Sequence, residues 1–504
     1  MASHRRSFDS LFQVAARFMM YITMQNFGRF PILKAQEIVF DGDSYVQETI
    51  SINLNYSVFT VSEKFLSVAI DANIMREHWH GVDFNSEKLF TLAAALSPSF
   101  LRIGGTSADF LIYDGSTGQE RAKNFTDFNI THEDLDKIHL LSSKAGWDVM
   151  FGLNVLLRGK DGSWDSSNAK KIMQYVADHD YRFGWELGNE PTHFKEFNKT
   201  LSSEDLANDF QLLRGILRRN PQFGSFLVGP DIGRIFKNHS KREIFLKSFI
   251  QHAKDAIDAV TWHQYYVDGR SCSEGDFYNP RILDYLLHEL NTVNYIMKKY
   301  DPGAPRWLGE TSSAYGGGAP GLSDRYVAGF MWLDKLGLAA RLRHEVVIRQ
   351  TFLHGHYSLL DDDLNPNSDY WLSLLYKRLV GEKVLEVYGG TEEARKVRVY
   401  AHCSSRKYPS GSITLLALNV NLHDPVELKL TGGLQGKDIE EYLLMATNGD
   451  LTSKSVTLNG RVLELVNDHT LPDLIPAKTS KPIILPPLSF GLYVIPGAAA
   501  KACI

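Results

Sequence analysis

The chain has 504 residues, of which 44% are hydrophobic and 22% are charged, as in an ordinary folded protein. This length accommodates one large domain together with a smaller one. The formal net charge of −5 gives no electrostatic support for a general nucleic-acid-binding function. We therefore expect no nucleic acid among the partners of this protein.

The first 35 residues have no clear periodicity, and we expect them to lie outside the fold. Their apolar segment 11–24 contains Gln13 and Arg17 and is too short to span a bilayer. It is also too polar for a good signal-peptide core. We therefore expect no transmembrane segment here, and the segment does not identify a targeting signal. Residues 36–61 alternate between polar and apolar types, which predicts antiparallel strands.

From residue 62 the pattern changes to short apolar segments separated by amphipathic ones, such as 203–219 and 279–300. Eight apolar segments that alternate with helical ones predict a (β/α)8 TIM barrel over residues 62–383. A doubly wound open sheet is the alternative, but polar residues recur where the segments end, which favours the barrel. Ser203 is the predicted N-cap of the helix 203–219. The predicted barrel strands are 65–71, 99–103, 148–154, 181–187, 225–229, 259–263, 306–309 and 345–351.

Residues 384–504 form alternating segments divided by Gly, Asn, Asp and Pro, which predicts a β-sandwich. We expect the strands of 36–61 to join it, so that the barrel is inserted into a discontinuous β-sandwich domain. The three cysteines, Cys272, Cys403 and Cys503, form no C-x-x-C or Cys/His cluster, so no structural zinc site is expected. By themselves, the three cysteines are as compatible with three free thiols as with a disulfide.

Two apolar segments each lead into a glutamate: F-G-W-E-L-G-N-E-P contains Glu190, and R-W-L-G-E-T-S-S contains Glu310. The two are 120 positions apart, about four βα units, and strand ends of a barrel share one face. Glycoside hydrolysis needs an acid for the leaving oxygen and a carboxylate at the anomeric carbon. We predict Glu190 as the acid/base, Glu310 as the nucleophile, and no metal or organic cofactor. A single such glutamate would be explained more simply as an exposed or ion-paired residue.

Polar residues also follow the other predicted strands, as a site that hydrogen-bonds a sugar requires. Asn189 is placed to donate to a sugar 2-hydroxyl, and Tyr265 or His263 to orient Glu310. The polar residues at predicted strand ends are Asp71, Asn73, Thr106, Asn154, Asn189, Glu190, Asp231, His263, Tyr265, Glu310, Arg349 and Gln350.

The motifs W-E-L-G-N-E-P and W-L-G-E-T-S-S-A-Y-G-G-G-A-P resemble the two catalytic segments of the heparanase family, retaining barrel glycosidases. Further matches, such as L-R-I-G-G-T, W-H-Q-Y-Y and the terminal A-C-I, extend the resemblance from about residue 65 to 504. It implies an endo-β-glucuronidase with Glu190 and Glu310 in the roles above, and a disulfide between Cys403 and Cys503. The substrate-cleft residues that it implies are Asp71, Asn73, Thr106, Asn189, His263, Tyr265, Tyr315, Gly316 and Gly317.

Two features depart from the vertebrate members of that family. Those proteins carry a long linker that is excised for activation, whereas the segment 114–138 is short here. We therefore predict activity as a single uncleaved chain. Arg234 stands where those proteins have a glutamine that contacts the glycan, which bears on substrate preference rather than on catalysis.

The resemblance extends to leech hyaluronidase, through W-D-S-S-N-A and V-V-I-R-Q-T, so it does not choose between heparan sulfate and hyaluronan. A sulfated chain favours cationic groups around the cleft. Residues 234–247 are basic and resemble a heparin-binding segment, which favours heparan sulfate; the solvated face of a barrel helix is the alternative reading. A catalytically silent glycan-binding protein is disfavoured because both glutamates are present. The predicted cleft cations are Lys195, Arg234, Lys237, Lys241, Arg242, Lys247 and Arg270.

Five N-x-S/T sequons favour a secretory route and a secreted, extracellular or lysosomal location. We expect a monomer whose partner is a glycosaminoglycan. The sequons are at Asn55, Asn124, Asn129, Asn198 and Asn238.

Overall fold

The computed structural model describes residues 45–114, 127–235, 240–301, 303–389 and 395–504. The chain divides into two units, Met1–Phe40 and Asp41–Ile504, and the described residues all belong to the second. The predicted unstructured segment 1–35 lies outside the described residues. So do Lys237, the sequons at Asn124 and Asn238, and residues 115–126 of the short linker.

Eight parallel strands close into a barrel, and around the ring they run in the order Arg306–Thr311, Val346–Arg349, Leu66–Asp71, Ser99–Gly104, Trp147–Leu153, Phe183–Leu187, Leu227–Ile232 and Ala259–Gln264. The predicted TIM barrel is confirmed, and each predicted barrel strand is present with small shifts of its ends. The open-sheet alternative is wrong, because the last barrel strand pairs with the first and closes the ring. Strands in this part are β1 (Val46–Thr60), β2 (Leu66–Asp71), β3 (Ser99–Gly104), β4 (Leu111–Tyr113), β5 (Phe128–Ile130), β6 (Trp147–Leu153), β7 (Phe183–Leu187), β8 (Leu227–Ile232), β9 (Ala259–Gln264), β10 (Val267–Asp268), β11 (Arg306–Thr311), β12 (Ala314–Tyr315) and β13 (Val346–Arg349).

Helices follow most barrel strands, and the two predicted from their amphipathic pattern are present. The predicted cap of the first was wrong by one residue: Ser202 is extended and its Oγ accepts from the backbone N–H of Asp205 at 3.0 Å. Ser203 is already the first helical residue. The helices are α1 (Asn73–Arg76), α2 (Glu87–Ala94), α3 (His132–Ala145), α4 (Ser167–Asp178), α5 (Ser203–Arg219), α6 (Lys241–Ala253), α7 (Pro280–Tyr300), α8 (Ala328–Arg341) and α9 (Ser368–Leu379). Within the described ranges, no helix combines the length and the apolar character that crossing a bilayer requires.

The strands after the barrel pair with β1, the strand that precedes it. Residues 46–50 of β1 lie parallel to the strand 426–430, and residues 51–60 lie antiparallel to the strand 380–388. Apolar side chains from both parts meet in one buried cluster, which is the core of a discontinuous β-sandwich. These strands are β14 (Val380–Tyr388), β15 (Val397–Ser404), β16 (Ile413–Asn419), β17 (Val426–Leu430), β18 (Ile439–Ala446), β19 (Val456–Leu458), β20 (Arg461–Val462), β21 (Ala477–Thr479), β22 (Ile483–Leu485) and β23 (Ser489–Ile495).

A disulfide joins Cys403 in β15 to Cys503 near the end of the chain, which is the pair that the family resemblance implied. Cys272 is a half-buried free thiol. Three free thiols are therefore excluded.

Candidate active site

Two carboxylates meet at the rim formed by the carboxyl ends of the barrel strands. Glu190 follows β7 and Glu310 lies near the end of β11. One carboxylate oxygen of each and Nδ1 of His263 all lie within 4.8 Å of one another. Carboxyl groups about 5 Å apart are typical of retaining glycosidases, whereas inverting ones leave about 6.5–9.5 Å for a water. An approach of two oxygens to within 4.8 Å fits the spacing of a retaining enzyme.

The backbone of Glu190 adopts an uncommon conformation, with φ 48° and ψ 58°, although a proline follows it. For a residue other than glycine, this left-handed region costs roughly 1–2 kcal/mol. Neighbouring groups hold the turn: the N–H of Glu190 donates to the carbonyl of Asp231 at 2.9 Å, and the N–H of Asn189 donates to Asp109 at 2.9 Å. The carboxyl of Glu190 lies against His263 and His193.

Arg102, in β3, links Glu310 to Asn189, the residue that precedes Glu190. Its Nη1 donates to Glu310 Oε2 at 2.9 Å, and its Nη2 to Asn189 Oδ1 at 3.0 Å. Its Nε donates to Glu186 Oε2 at 2.7 Å. Burial opposes its charge, yet the surrounding carboxylates raise the pKa of Arg102 well above its ordinary value. The guanidinium is therefore a fixed positive charge beneath the site.

Glu310 accepts hydrogen bonds at both oxygens. Tyr265 donates its hydroxyl to Oε1 at 2.7 Å, and Arg102 occupies Oε2. Nδ1 of His263 is farther from Glu310, at 3.9 Å. Two donors fix the position of this carboxylate, which is what a nucleophile requires.

Glu190 is contacted by two histidines. Nδ1 of His263 lies 3.0 Å from Oε1, and Nδ1 of His193 contacts Oε2. The other ring nitrogen of His263 lies 3.3 Å from Asp231. Burial opposes a charge on His263, but Glu310, Asp231 and Glu190 raise its pKa to about 10. Burial likewise opposes ionisation of Glu190, yet the two histidine contacts hold the pKa of Glu190 well below its ordinary range. In the free site, the proton of the Glu190–His263 pair therefore lies on His263.

Asp71 and Asn73 lie at the end of β2. Asp71 accepts from the backbone N–H of Asn73 at 2.9 Å and from Gln350 at 3.2 Å, and burial raises the pKa of Asp71 to about 6. The amide of Asn73 donates to Glu77 at 2.6 Å. Thr106 begins the 3-10 turn that follows β3 and is half-buried.

Tyr315, Gly316 and Gly317 lie on the loop after β11. Tyr315 is in β12, which pairs with β10 beside the rim, and 41% of its surface is exposed. Both glycines have positive φ, of 83° and 89°. An exposed ring next to a glycine turn leaves open backbone and an aromatic face for a ligand.

Arg234 and Arg242, two of the predicted cleft cations, are largely engaged within the protein. Arg234 donates to Glu289 at 2.6 Å and to the carbonyl of Tyr266 at 3.0 Å. Arg242 donates to the carbonyl of Arg234 at 2.8 Å, and its other terminal nitrogen contacts Nε2 of His193. Both guanidinium groups are therefore bound from inside the fold.

Lys247 and Arg270 each have an acidic partner. Lys247 is 2.7 Å from Glu243, and Arg270 binds both oxygens of Asp268 at 2.8 Å. The remaining predicted cations in the described ranges are exposed lysines, Lys195 and Lys241.

Several residues of this site were not singled out from the sequence. Arg102 and Glu186 could have been found from the sequence, because each is a charged residue inside an otherwise apolar barrel strand, and buried charges require partners. Asp109 and His193 could not have been found in this way, since both lie in short 3-10 turns among residues of mixed polarity.

Among the described residues, the acids and histidines close enough to hold a metal ion are Glu190, His263 and Glu310. Their donor atoms already have hydrogen-bond partners, and the Arg102 guanidinium lies 2.9 Å from Glu310. A cation there would face that fixed positive charge. The donor set therefore fits acid–base chemistry better than metal binding.

Comparisons with known proteins agree with this geometry. The family described as glycosyl hydrolase family 79, N-terminal domain, matches residues 77–337. Heparanase of Gallus gallus is 41% identical, over 90% of this chain and 96% of its own length. Hyaluronoglucuronidase of Hirudo nipponia is 36% identical, over 88% and 97%.

Among solved structures, a 4-O-α-L-rhamnosyl-β-D-glucuronidase from Fusarium oxysporum shares the fold. Its TM-score is 0.66 at 15% identity, over 88% of this chain and 100% of that one. By its sequence relatives, the chain is a glycoside hydrolase and belongs to glycosyl hydrolase family 79.

Proposed function

We propose that this protein is a retaining endo-β-glucuronidase that cleaves heparan sulfate. The observation that carries the proposal is the pair of carboxylates within 4.8 Å, one oriented by Arg102 and Tyr265 and the other bound by two histidines. The heparanase relative supports the choice of polymer.

In the first step, Glu310 attacks the anomeric carbon and forms a glucuronyl ester. The bond to the leaving oxygen breaks as that oxygen receives a proton from Glu190. Since His263 holds the proton in the free site, it passes its Nδ1 proton to Oε1 of Glu190 as the leaving oxygen takes the proton of that carboxyl. His263 ends this step neutral, and Glu190 is again a carboxylate.

In the second step, Glu190 takes a proton from a water that attacks the ester, and Glu310 is released as a carboxylate. The proton returns from Glu190 to His263, which restores the resting site. Two displacements at one carbon give net retention of configuration.

Hyaluronan is the second candidate, and one observation favours it. Arg234, Lys247 and Arg270 are each paired with an acid, so the rim offers a sulfated chain fewer uncompensated cations than the sequence suggests. The exposed Lys195 and Lys241 support heparan sulfate.

We further propose that the chain acts uncleaved, as a secreted or lysosomal glycoprotein. The disulfide supports an oxidising compartment. The sequon residue Asn55 is exposed in β1, where a glycan has room.

The test is to incubate the full chain separately with heparan sulfate and with hyaluronan, and to size the products. We expect internal cleavage of heparan sulfate, with a loss of about 10³-fold or more in Glu310→Gln because that variant lacks the nucleophile. Cleavage of hyaluronan alone would support the second candidate. Unchanged activity in Glu310→Gln, or cleavage of neither polymer, would contradict the proposed function.

A further inference from the structure

We propose that His193 is a positioning residue for the acid/base, held by Arg242 as a neutral hydrogen-bond donor to Glu190. The inference rests on the proposed role of Glu190. It adds a second histidine that the two-step mechanism above does not use.

His193 reaches Glu190 through local chain geometry. Residues Pro191–Phe197 form a 3-10 turn that begins directly after Glu190, and the backbone N–H of His193 donates to the carbonyl of Glu190 at 2.8 Å. Residues three apart in such a turn lie above one another. The ring therefore faces the carboxyl of Glu190, and its Nδ1 contacts Oε2.

Arg242 decides which nitrogen of His193 carries the proton. A guanidinium only donates hydrogen bonds, so Nε2 of His193, which contacts Arg242, must be the acceptor. The proton of the neutral ring is therefore on Nδ1, where it is donated to Glu190. Arg242 is itself held at the start of α6 by its hydrogen bond to the carbonyl of Arg234, at 2.8 Å.

The two oxygens of Glu190 consequently have different donors. Oε1 faces His263, which exchanges a proton with it, and Oε2 accepts a hydrogen bond from Nδ1 of His193, which keeps its proton. Gly233 lies beside both residues: a Cβ there would lie 3.1 Å from Oε1 of Glu190 and 3.2 Å from Cε1 of His193. His193 thus fixes the rotamer of Glu190 and leaves Oε1 as its proton-exchanging oxygen.

The test compares two substrates that differ only in their need for an acid. Both are aryl β-glucuronides extended by one sugar of the polymer; one releases dinitrophenol, which needs no proton, and the other releases phenol, which does. We expect His193→Ala to lower kcat on the phenyl substrate by about 10–100-fold, within the range of general acid catalysis. We expect a change below about threefold on the dinitrophenyl substrate, with KM nearly unchanged on both.

His193→Asn is the matched control, because its amide nitrogen takes the place of Nδ1 and restores the donor to Glu190. We expect it to recover most of the loss on the phenyl substrate, with thermal unfolding like that of the parent. Equal losses on both substrates, no loss on either, or no recovery in His193→Asn would overturn the role of His193. An inactive parent protein on both substrates and on both polymers would instead overturn the proposed function itself.

Discussion

At the scale of single residues, Arg102 is the group on which the site depends. It is 1% exposed and donates to Glu186, Asn189 and Glu310 through three different nitrogens. A buried charge is tolerated when each of its nitrogens has a partner in this way. The planar fork of a guanidinium reaches three separate acceptors, which an ammonium group on a flexible stem does not.

We expect Arg102→Lys to lower kcat/KM on the polymer by about 100-fold, because Glu310 and Asn189 lose their common donor. We also expect the free energy of unfolding to fall by about 3–5 kcal/mol, since buried carboxylates are left unpaired. Kinetics and urea unfolding measure the two effects. The exposed Arg218→Lys in α5 is the control and should change neither. Full activity in Arg102→Lys would contradict the role given to the fork.

At the scale of elements, α8 supports the strand that carries Glu310. Apart from Asp334, Lys335 and the terminal Arg341 the helix is apolar, and it is buried from Ala328 to Ala340 between the barrel and the sandwich. Its Lys335 donates to the carbonyl of Ser312 at 2.7 Å and contacts Thr311, the residue that follows Glu310. Lys335 thereby joins α8, on which the sandwich packs, to the residues that directly follow Glu310.

Gly337 in α8 leaves room for a ring of the sandwich. A Cβ at Gly337 would lie 2.1 Å from Cδ2 of Tyr400, so we expect Gly337→Ala to lower the free energy of unfolding by about 1–3 kcal/mol. Gly215→Ala in α5 is the matched control, because the nearest atom there is the end of Arg219 at 3.5 Å. It should stabilise by up to about 1 kcal/mol through helix propensity. If both substitutions changed the free energy of unfolding in the same direction, the contact with Tyr400 would not be what excludes a side chain at Gly337.

At the scale of the whole molecule, the sandwich is assembled from distant parts of the chain. The strand β1 precedes the barrel, and it pairs with β14 and β17, which follow it. Contacts between segments so far apart are entropically unfavourable to form. The disulfide between Cys403 and Cys503, 100 residues apart, reduces that entropy in the unfolded chain.

Replacing both Cys403 and Cys503 by serine should lower the free energy of unfolding by about 4.7 kcal/mol, the value for a 100-residue loop in the chain-entropy model. The urea midpoint measures this change, and reductant should lower the midpoint of the parent similarly. Cys272→Ser, at the free thiol, is the control and should leave the response to reductant unchanged. A midpoint that is insensitive to reductant would contradict a stabilising role of the bridge.

The sequence by itself determined the barrel and the two glutamates that approach each other. Parallel strands present their carboxyl ends at one rim, so the order of strands and the residues at their ends suffice to place Glu190 near Glu310. Periodicity likewise located α5, although it placed the cap at Ser203 instead of Ser202, because adjacent serines are equally good caps until the backbone selects one.

Only the tertiary structure decided which side chains bind one another. The basic segment 234–247 could be counted from the sequence, but Glu289, which neutralises Arg234, comes from α7, 55 residues later. The contact of Arg242 with His193 likewise joins two helical turns that no sequence pattern relates. Side-chain partners depend on the packing of distant segments, whereas periodicity and the residues at strand ends are read along the chain. The sequence therefore predicted the catalytic glutamates but not which cations have partners within the protein.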